Sequence, residues 1–112
     1  MNCGMLLFRE TKAMQQITPQ QLKEKIDSNA DVLLIDIRED WEREAYNIGG
    51  LHIPMGDLPA RLSEIPKDKD VVLYCEKGIR STIVIQRFES LGFYNLINLS
   101  GGMKAWKELS PE

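Results

Sequence analysis

Residues 71–81 read Val71-Val72-Leu73-Tyr74-Cys75-Glu76-Lys77-Gly78-Ile79-Arg80-Ser81: four apolar residues, a polar loop holding one glycine, and the start of a helical pattern at about Ser81. A short continuous apolar run bounded by polar residues is what a strand buried on both faces requires. Val32-Leu33-Leu34-Ile35 and Leu96-Ile97-Asn98-Leu99 repeat that pattern, and a weaker run surrounds Ile53. Between them lie helical patterns from Leu58 to Ile65, Thr82 to Leu91 and Met103 to Leu109, with Gly92 standing where a C-terminal cap belongs. Strands that alternate with helices pair in parallel through crossover connections, so the expected fold is an α/β layered domain.

Thr18-Pro19-Gln20-Gln21 reads as a capping box with proline in the first helical position, opening a helix to about Ser28 with Leu22 and Ile26 on one face. Residues 1–15 show no clear period and are read as an extension without assigned function, leaving 16–112 as the domain. A chain of 112 residues is near the commonest size for one domain. Cys3 and Cys75 lie 72 positions apart with no CxxC or Cys/His spacing, which fits neither a zinc site nor a disulfide framework. That usage suits a reducing compartment, and the cytoplasm is the expected location. No apolar stretch is long enough to span a membrane, and the net charge of −3 is spread without a basic block. Membranes and nucleic acid are therefore not expected partners.

Ligands of open α/β sheets bind at the carboxyl ends of strands, which directs attention to the residues just after Ile35 and Tyr74. Cys75 sits at a strand end and faces a helix N-terminus, whose free N–H groups and partial positive charge favour an anion and hence the thiolate. Lys77 and Arg80 add positive charge, and Gly78 permits a turn that aims successive N–H groups at one point. A buried cysteine at a strand end is otherwise an inert small hydrophobe. Here the glycine, the arginine and the helix start surround it together.

Three elements resemble the rhodanese family. Leu34-Ile35-Asp36-Ile37-Arg38-Glu39 is similar to its Asp-x-Arg element, and Cys75 to Ser81 is similar to its active-site loop. Ser100-Gly101-Gly102-Met103-Lys104-Ala105-Trp106 is similar to its closing Gly-Gly-x-x-x-Trp signature. The likeness spans about Ile17 to Leu109. It implies a rhodanese-like fold, a five-stranded parallel sheet with helices on both faces. It also implies a sulfurtransferase that accepts sulfane sulfur from a donor such as thiosulfate and passes it to a thiophilic acceptor through a persulfide, with no cofactor and no metal. Carried over by motif, Cys75 is the nucleophile, and the amides of Glu76, Lys77, Gly78, Ile79, Arg80 and Ser81 form the cradle. Arg80 and Lys77 orient an anionic substrate, while Asp36 and Arg38 brace the loop, with Arg38 within reach of the substrate. The implied partners are a small sulfur-containing anion or a persulfidated protein donor. The Gly-Gly-Leu-x-Ile-Pro-x-Gly-x-Leu wording of residues 49–58 also resembles rhodanese domains fused to enzymes that activate sulfur carriers, which adds a sulfur-carrier protein to the implied partners.

The chain departs from the family at Asn47-Ile48-Gly49-Gly50-Leu51-His52-Ile53-Pro54, one residue shorter than the usual segment, so His52 is not at the family's histidine position and is read as structural. Trp41 and Tyr46 are read as core or core-edge packing and Trp106 as core, and Lys67 to Asp70 as a solvated connection. Two other functions use similar logic. Cysteine phosphatases and arsenate reductases place five residues between cysteine and arginine, whereas Cys75 and Arg80 enclose four. A catalytically inactive binding module would not need Cys75, Gly78 and Arg80 together. Glu76 beside the nucleophile is expected to repel a dianion such as thiosulfate, so that Glu76→Gln would lower its Michaelis constant.

Overall fold

The computed structural model describes residues 14–109. Residues 1–13, including Cys3, lie outside them. Five parallel strands form one sheet in the order β1-β5-β4-β2-β3. They are β1 (Gln16–Ile17), β2 (Val32–Asp36), β3 (Leu51–His52), β4 (Asp70–Tyr74) and β5 (Leu96–Leu99). Helices α1 (Pro19–Asp27), α2 (Asp40–Ala45), α3 (Ile79–Glu89) and α4 (Gly102–Lys107) lie between or after them, with a 3-10 segment over Met55–Glu64.

The apolar runs at 32–35, 71–74 and 96–99 form strands as their composition requires, because each has a layer on both faces. Alternation along β4 sends Val71, Leu73 and Cys75 into one core with Val84, Ile85 and Phe88 of α3, and sends Val72 and Tyr74 into the other with Leu22 of α1 and Met103 of α4. A fully buried Leu or Ile in these layers stabilises by roughly 1.5–3 kcal/mol. Met14 packs against the first core, and the Gln15 carbonyl accepts the Asn98 N–H at 3.0 Å.

Local chemistry sets the ends of the helices. The Thr18 capping box forms, with the Gln21 N–H donating to Oγ1 at 3.1 Å and the Thr18 N–H donating to Gln21 Oε1 at 3.0 Å. At the end of α3, Gly92 takes φ 93°. There the Phe93 N–H donates to the Phe88 carbonyl and the Gly92 N–H to that of Glu89. That is a Schellman closure, sealed by the Phe88 and Phe93 rings 5.8 Å apart.

Several expectations need correction. Leu22 is fully buried but Ile26, one turn on, is exposed, so only the Leu22 end of that apolar face is covered. The segment read as a helix from Leu58 is instead 3-10 from Met55 with a break at Arg61, since Pro59 inside it cannot supply an N–H. Trp106 is half-buried at the core edge, and Trp41 is exposed at 71%. Lys67 is not simply solvated, for its ammonium lies 4.6 Å from the centre of the Phe93 ring and donates to the Leu91 carbonyl.

Tyr74 ends β4 wholly buried, its hydroxyl donating to the Gly49 carbonyl at 2.9 Å. Burial, helped by the nearby Asp36 carboxylate, pushes its phenol up to about 12. The folded value is above the unfolded one near 10, so this contribution is complete below pH ~10 and is lost as pH rises through ~12, at a cost of about 3 kcal/mol. Urea midpoints at pH ~9.5 and ~11.5 are expected to fall further apart for the unaltered chain than for Tyr74→Phe. Equal falls would remove Tyr74 as the cause.

Candidate active site

Strand order reverses between β2 and β4, since β3 lies outward from β2 on one side while β5 and β1 extend on the other. The loops after β2 and β4 therefore part above the sheet and leave a crevice at its carboxyl edge. Cys75 lies at its base, 1% exposed, and is unpaired with any other cysteine.

Gly78 turns the loop. Its φ of 88° is left-handed, and it caps α3, so the helix begins at Ile79 rather than near Ser81. A Cβ there would meet the Gly101 nitrogen at 3.2 Å and the Leu99 carbonyl at 3.4 Å. This turn aims the Gly78 N–H at Cys75 Sγ, 3.2 Å away. Ser81 Oγ lies 3.5 Å from the same sulfur and donates its own proton to Asn98 Oδ1, leaving its lone pairs toward the thiol. Asn98 in turn donates to Gln16 Oε1 at 2.8 Å, which also accepts from Ser100 Oγ. A polar chain thus runs from the sulfur to the sheet edge.

The closing glycine pair has a mechanical reason. Met103 and Lys104 donate their N–H groups to the carbonyls of Cys75 and Glu76, both at 2.9 Å. For α4 to come so near, position 102 must carry no side chain: a Cβ on Gly102 would lie 2.5 Å from the Cys75 carbonyl oxygen and 2.6 Å from that of Glu76.

Asp36 and Arg38 lie under the loop. Arg38 Nε and Nη2 donate to the two Asp36 oxygens at 2.9 and 3.0 Å, and Nη1 donates to Glu76 Oε1 at 3.3 Å. Arg38 is 1% exposed, so the expected reach to a substrate is not there; its donors are spent on Asp36, Glu76 and the Tyr46 carbonyl. Glu76 is not a free charge beside Cys75 either. Arg38 holds one oxygen and the Lys107 ammonium lies 3.9 Å from the other. With both oxygens engaged, Glu76→Gln is expected to lower stability by about 0.5 kcal/mol, roughly 3 °C in melting temperature. A lower Michaelis constant for thiosulfate with unchanged melting would return Glu76 to the substrate.

The mouth of the crevice encloses about 400 Å³ and is lined by Glu42, Cys75, Glu76, Lys77, Ile79 and Arg80. Glu42 is not legible as a site residue in the sequence. It enters because α2, unanticipated there, carries it across to α3, where Arg80 Nη1 and Nη2 donate to its two oxygens, both at 2.9 Å. The Arg80 guanidinium holds the Glu42 carboxyl below the usual carboxylate range. His52 stands apart, its Nε2 2.8 Å from the Arg38 carbonyl oxygen. Among the described residues no cluster of three His, Cys, Asp or Glu could hold a metal.

A buried cysteine at a strand end, a glycine-turned loop and a parallel sheet closed by a Gly-Gly helix define a recognised domain class. The family model described as Rhodanese-like domain matches residues 18–109, and the chain belongs to that family. It is 39% identical over 101 residues to the putative sulfurtransferase YtwF of Bacillus subtilis (strain 168), covering 88% of this chain and 97% of that one. It is also 39% identical over 94 residues to a sulfurtransferase of Allochromatium vinosum, covering 83% and 88%. The crystal structure of a rhodanese-like domain protein from Staphylococcus aureus superposes with a TM-score of 0.77 at 33% identity, over 83% of this chain and 91% of that one.

Proposed function

We propose that this protein is a rhodanese-type sulfurtransferase that carries sulfane sulfur as a persulfide on Cys75. The observation that carries this reading is the Gly78 N–H at 3.2 Å from a buried Cys75 Sγ at the end of β4. A donor amide and a helix start beside a sulfur favour its anion, which is the attacking form. With thiosulfate as donor, the Cys75 thiolate attacks the outer sulfur. The S–S bond breaks with its electron pair leaving on sulfite, and the sulfur stays on Cys75 as a persulfide. A thiophilic nucleophile then attacks the terminal sulfur and the Cys75 thiolate departs. Both steps are displacements at sulfur and call for no cofactor. Lys77 and Arg80 line the entrance as the cations an anionic donor would meet. The donors that suit the site are a small sulfur-containing anion or a persulfide, including one borne by a protein, and a sulfur-carrier protein suits the acceptor role. The names of the two relatives support sulfur transfer, and cysteine usage supports a reducing cytoplasm as its place. Among the described residues no helix is long and apolar enough to cross a membrane.

Intact mass after incubation with a sulfur donor is the test. One added sulfur, removed by reductant and mapped to Cys75, is the expected result. No added sulfur from thiosulfate or from a low-molecular-weight persulfide would overturn the reading.

A further inference from the structure

We propose that Glu42 is a specificity-determining residue: its carboxylate occupies Arg80 and turns the site away from small dianionic donors such as thiosulfate, toward persulfide donors that carry at most one negative charge. This inference rests on the sulfur-transfer reading and narrows its donor class.

Four charged side chains line the mouth, Glu42 and Glu76 against Lys77 and Arg80, and they sum to zero. Glu76 is paired with Arg38 and Lys107, so Lys77 and the Glu42–Arg80 pair face an incoming donor, and of the two cations only Arg80 offers two parallel N–H donors. A guanidinium recognises a sulfonate or carboxylate with two parallel N–H donors. Both of those donors on Arg80, Nη1 and Nη2, are committed to Glu42. Thiosulfate must displace a carboxylate or bind next to it, and a dianion meets twice the repulsion that a monoanion does. Glu42 does not swing aside freely. Its Oε1 also accepts the Glu39 N–H at 2.9 Å as part of the capping box of α2, and its side chain is 10% exposed.

A persulfide donor avoids that competition. The Cys75 thiolate attacks the outer sulfur of R–S–SH, a new S–S bond forms on Cys75, and the old one breaks with its electron pair on the leaving thiolate RS⁻. The proton stays on the transferred sulfur. Total charge is unchanged, and no oxidant or reductant is consumed. The leaving group is not a dianion, so the step has no call on a free Arg80.

The test compares the second-order rate of one-sulfur mass gain from thiosulfate and from 2-mercaptoethanol persulfide. Glu42→Gln keeps an oxygen for the Glu39 N–H while removing the charge and one of the two acceptors that hold Arg80. At low ionic strength it is expected to raise the thiosulfate rate about fivefold and to shift the ratio of the two rates toward thiosulfate. The gain should shrink at high salt and vanish when Arg80→Gln is added, because it works through the freed guanidinium. Glu64→Gln, which breaks an exposed pair with Arg61 away from the site, is the charge-matched control and leaves both rates unchanged. A folded Glu42→Gln chain, checked by circular dichroism and melting, whose thiosulfate rate stays or falls overturns this inference alone. So does a gain that persists without Arg80. If the unaltered chain takes sulfur from neither donor, the sulfur-transfer reading and this inference fall together.

Discussion

Cys75→Ser is expected to abolish sulfur transfer between thiosulfate and cyanide, by roughly a thousandfold or more, and to eliminate the one-sulfur mass species altogether. The hydroxyl fits the space but cannot hold sulfane sulfur, and its proton is not released near neutral pH. The fold should survive, because Gly78 N–H retains an acceptor and Ser81 retains a neighbour. Cys3→Ser is expected to change neither quantity. Cys3 lies outside the described residues, and the sequence after it, Gly4-Met5-Leu6-Leu7-Phe8, lacks the Gly-x-Arg spacing that follows Cys75. Turnover retained in the Cys75 variant would sink the persulfide mechanism, whereas a large loss in the Cys3 variant would make that residue a resolving partner.

Gly102→Ala should be strongly damaging for a change of one methyl group. Position 102 has φ 61°, a left-handed conformation costly for alanine, and its Cβ would press on the Cys75 and Glu76 backbone at 2.5–2.6 Å. Backbone cannot step aside as a flexible side chain can. Helix α4 must lift, and the Met103 and Lys104 bonds to the loop stretch with it. Strain and lost bonds together cost about 3 kcal/mol, or roughly 15 °C in melting temperature. Sulfur loading should slow as well, since the loop carbonyls lose their anchor. Gly56→Ala, with ordinary φ and nothing within 4 Å of its Cβ, is the comparison and should melt within a degree or so of the unaltered chain. Equal melting of the two variants would show that α4 is not clamped to the loop.

How much of the structure is legible in the sequence depends on how local each cause is. Strands β2, β4 and β5 announce themselves because burial on both faces demands unbroken apolar residues, and α1 because Thr18 and Gln21 form a cap within four positions. β1 has two residues and α2 six, too few for any period to register. Yet Glu39 and Glu42 do spell a capping box, the one signal that could have disclosed α2. Helix α3 starts two residues earlier than its apolar pattern because left-handed Gly78, rather than a polar side chain, begins it. Cys75 and its loop are contiguous and so can be singled out. The partners of Arg80, Arg38 and Glu76 cannot, because Glu42 and Arg80 stand 38 positions apart and meet only when α2 and α3 are in place. For the same reason the likeness places Arg38 both as a brace and within reach of a substrate, whereas its burial and its bonds to Asp36, Glu76 and the Tyr46 carbonyl leave no donor for a substrate.

The clamp on the loop also bears on how the site comes into being during synthesis. Every strand of the sheet has been made once Leu99 is added, but the groups that hold the Cys75 and Glu76 carbonyls are the amides of Met103 and Lys104, in the last of the described helices. A nascent chain emerges from its N-terminal end, so a sheet can assemble around Cys75 before anything fixes the loop beyond it. Through that interval Cys75 is present and the two hydrogen bonds that clamp its loop are not. The loop after Cys75 is held only when residues some 28 positions further along have left the ribosome, so the site takes its described form only once α4 docks.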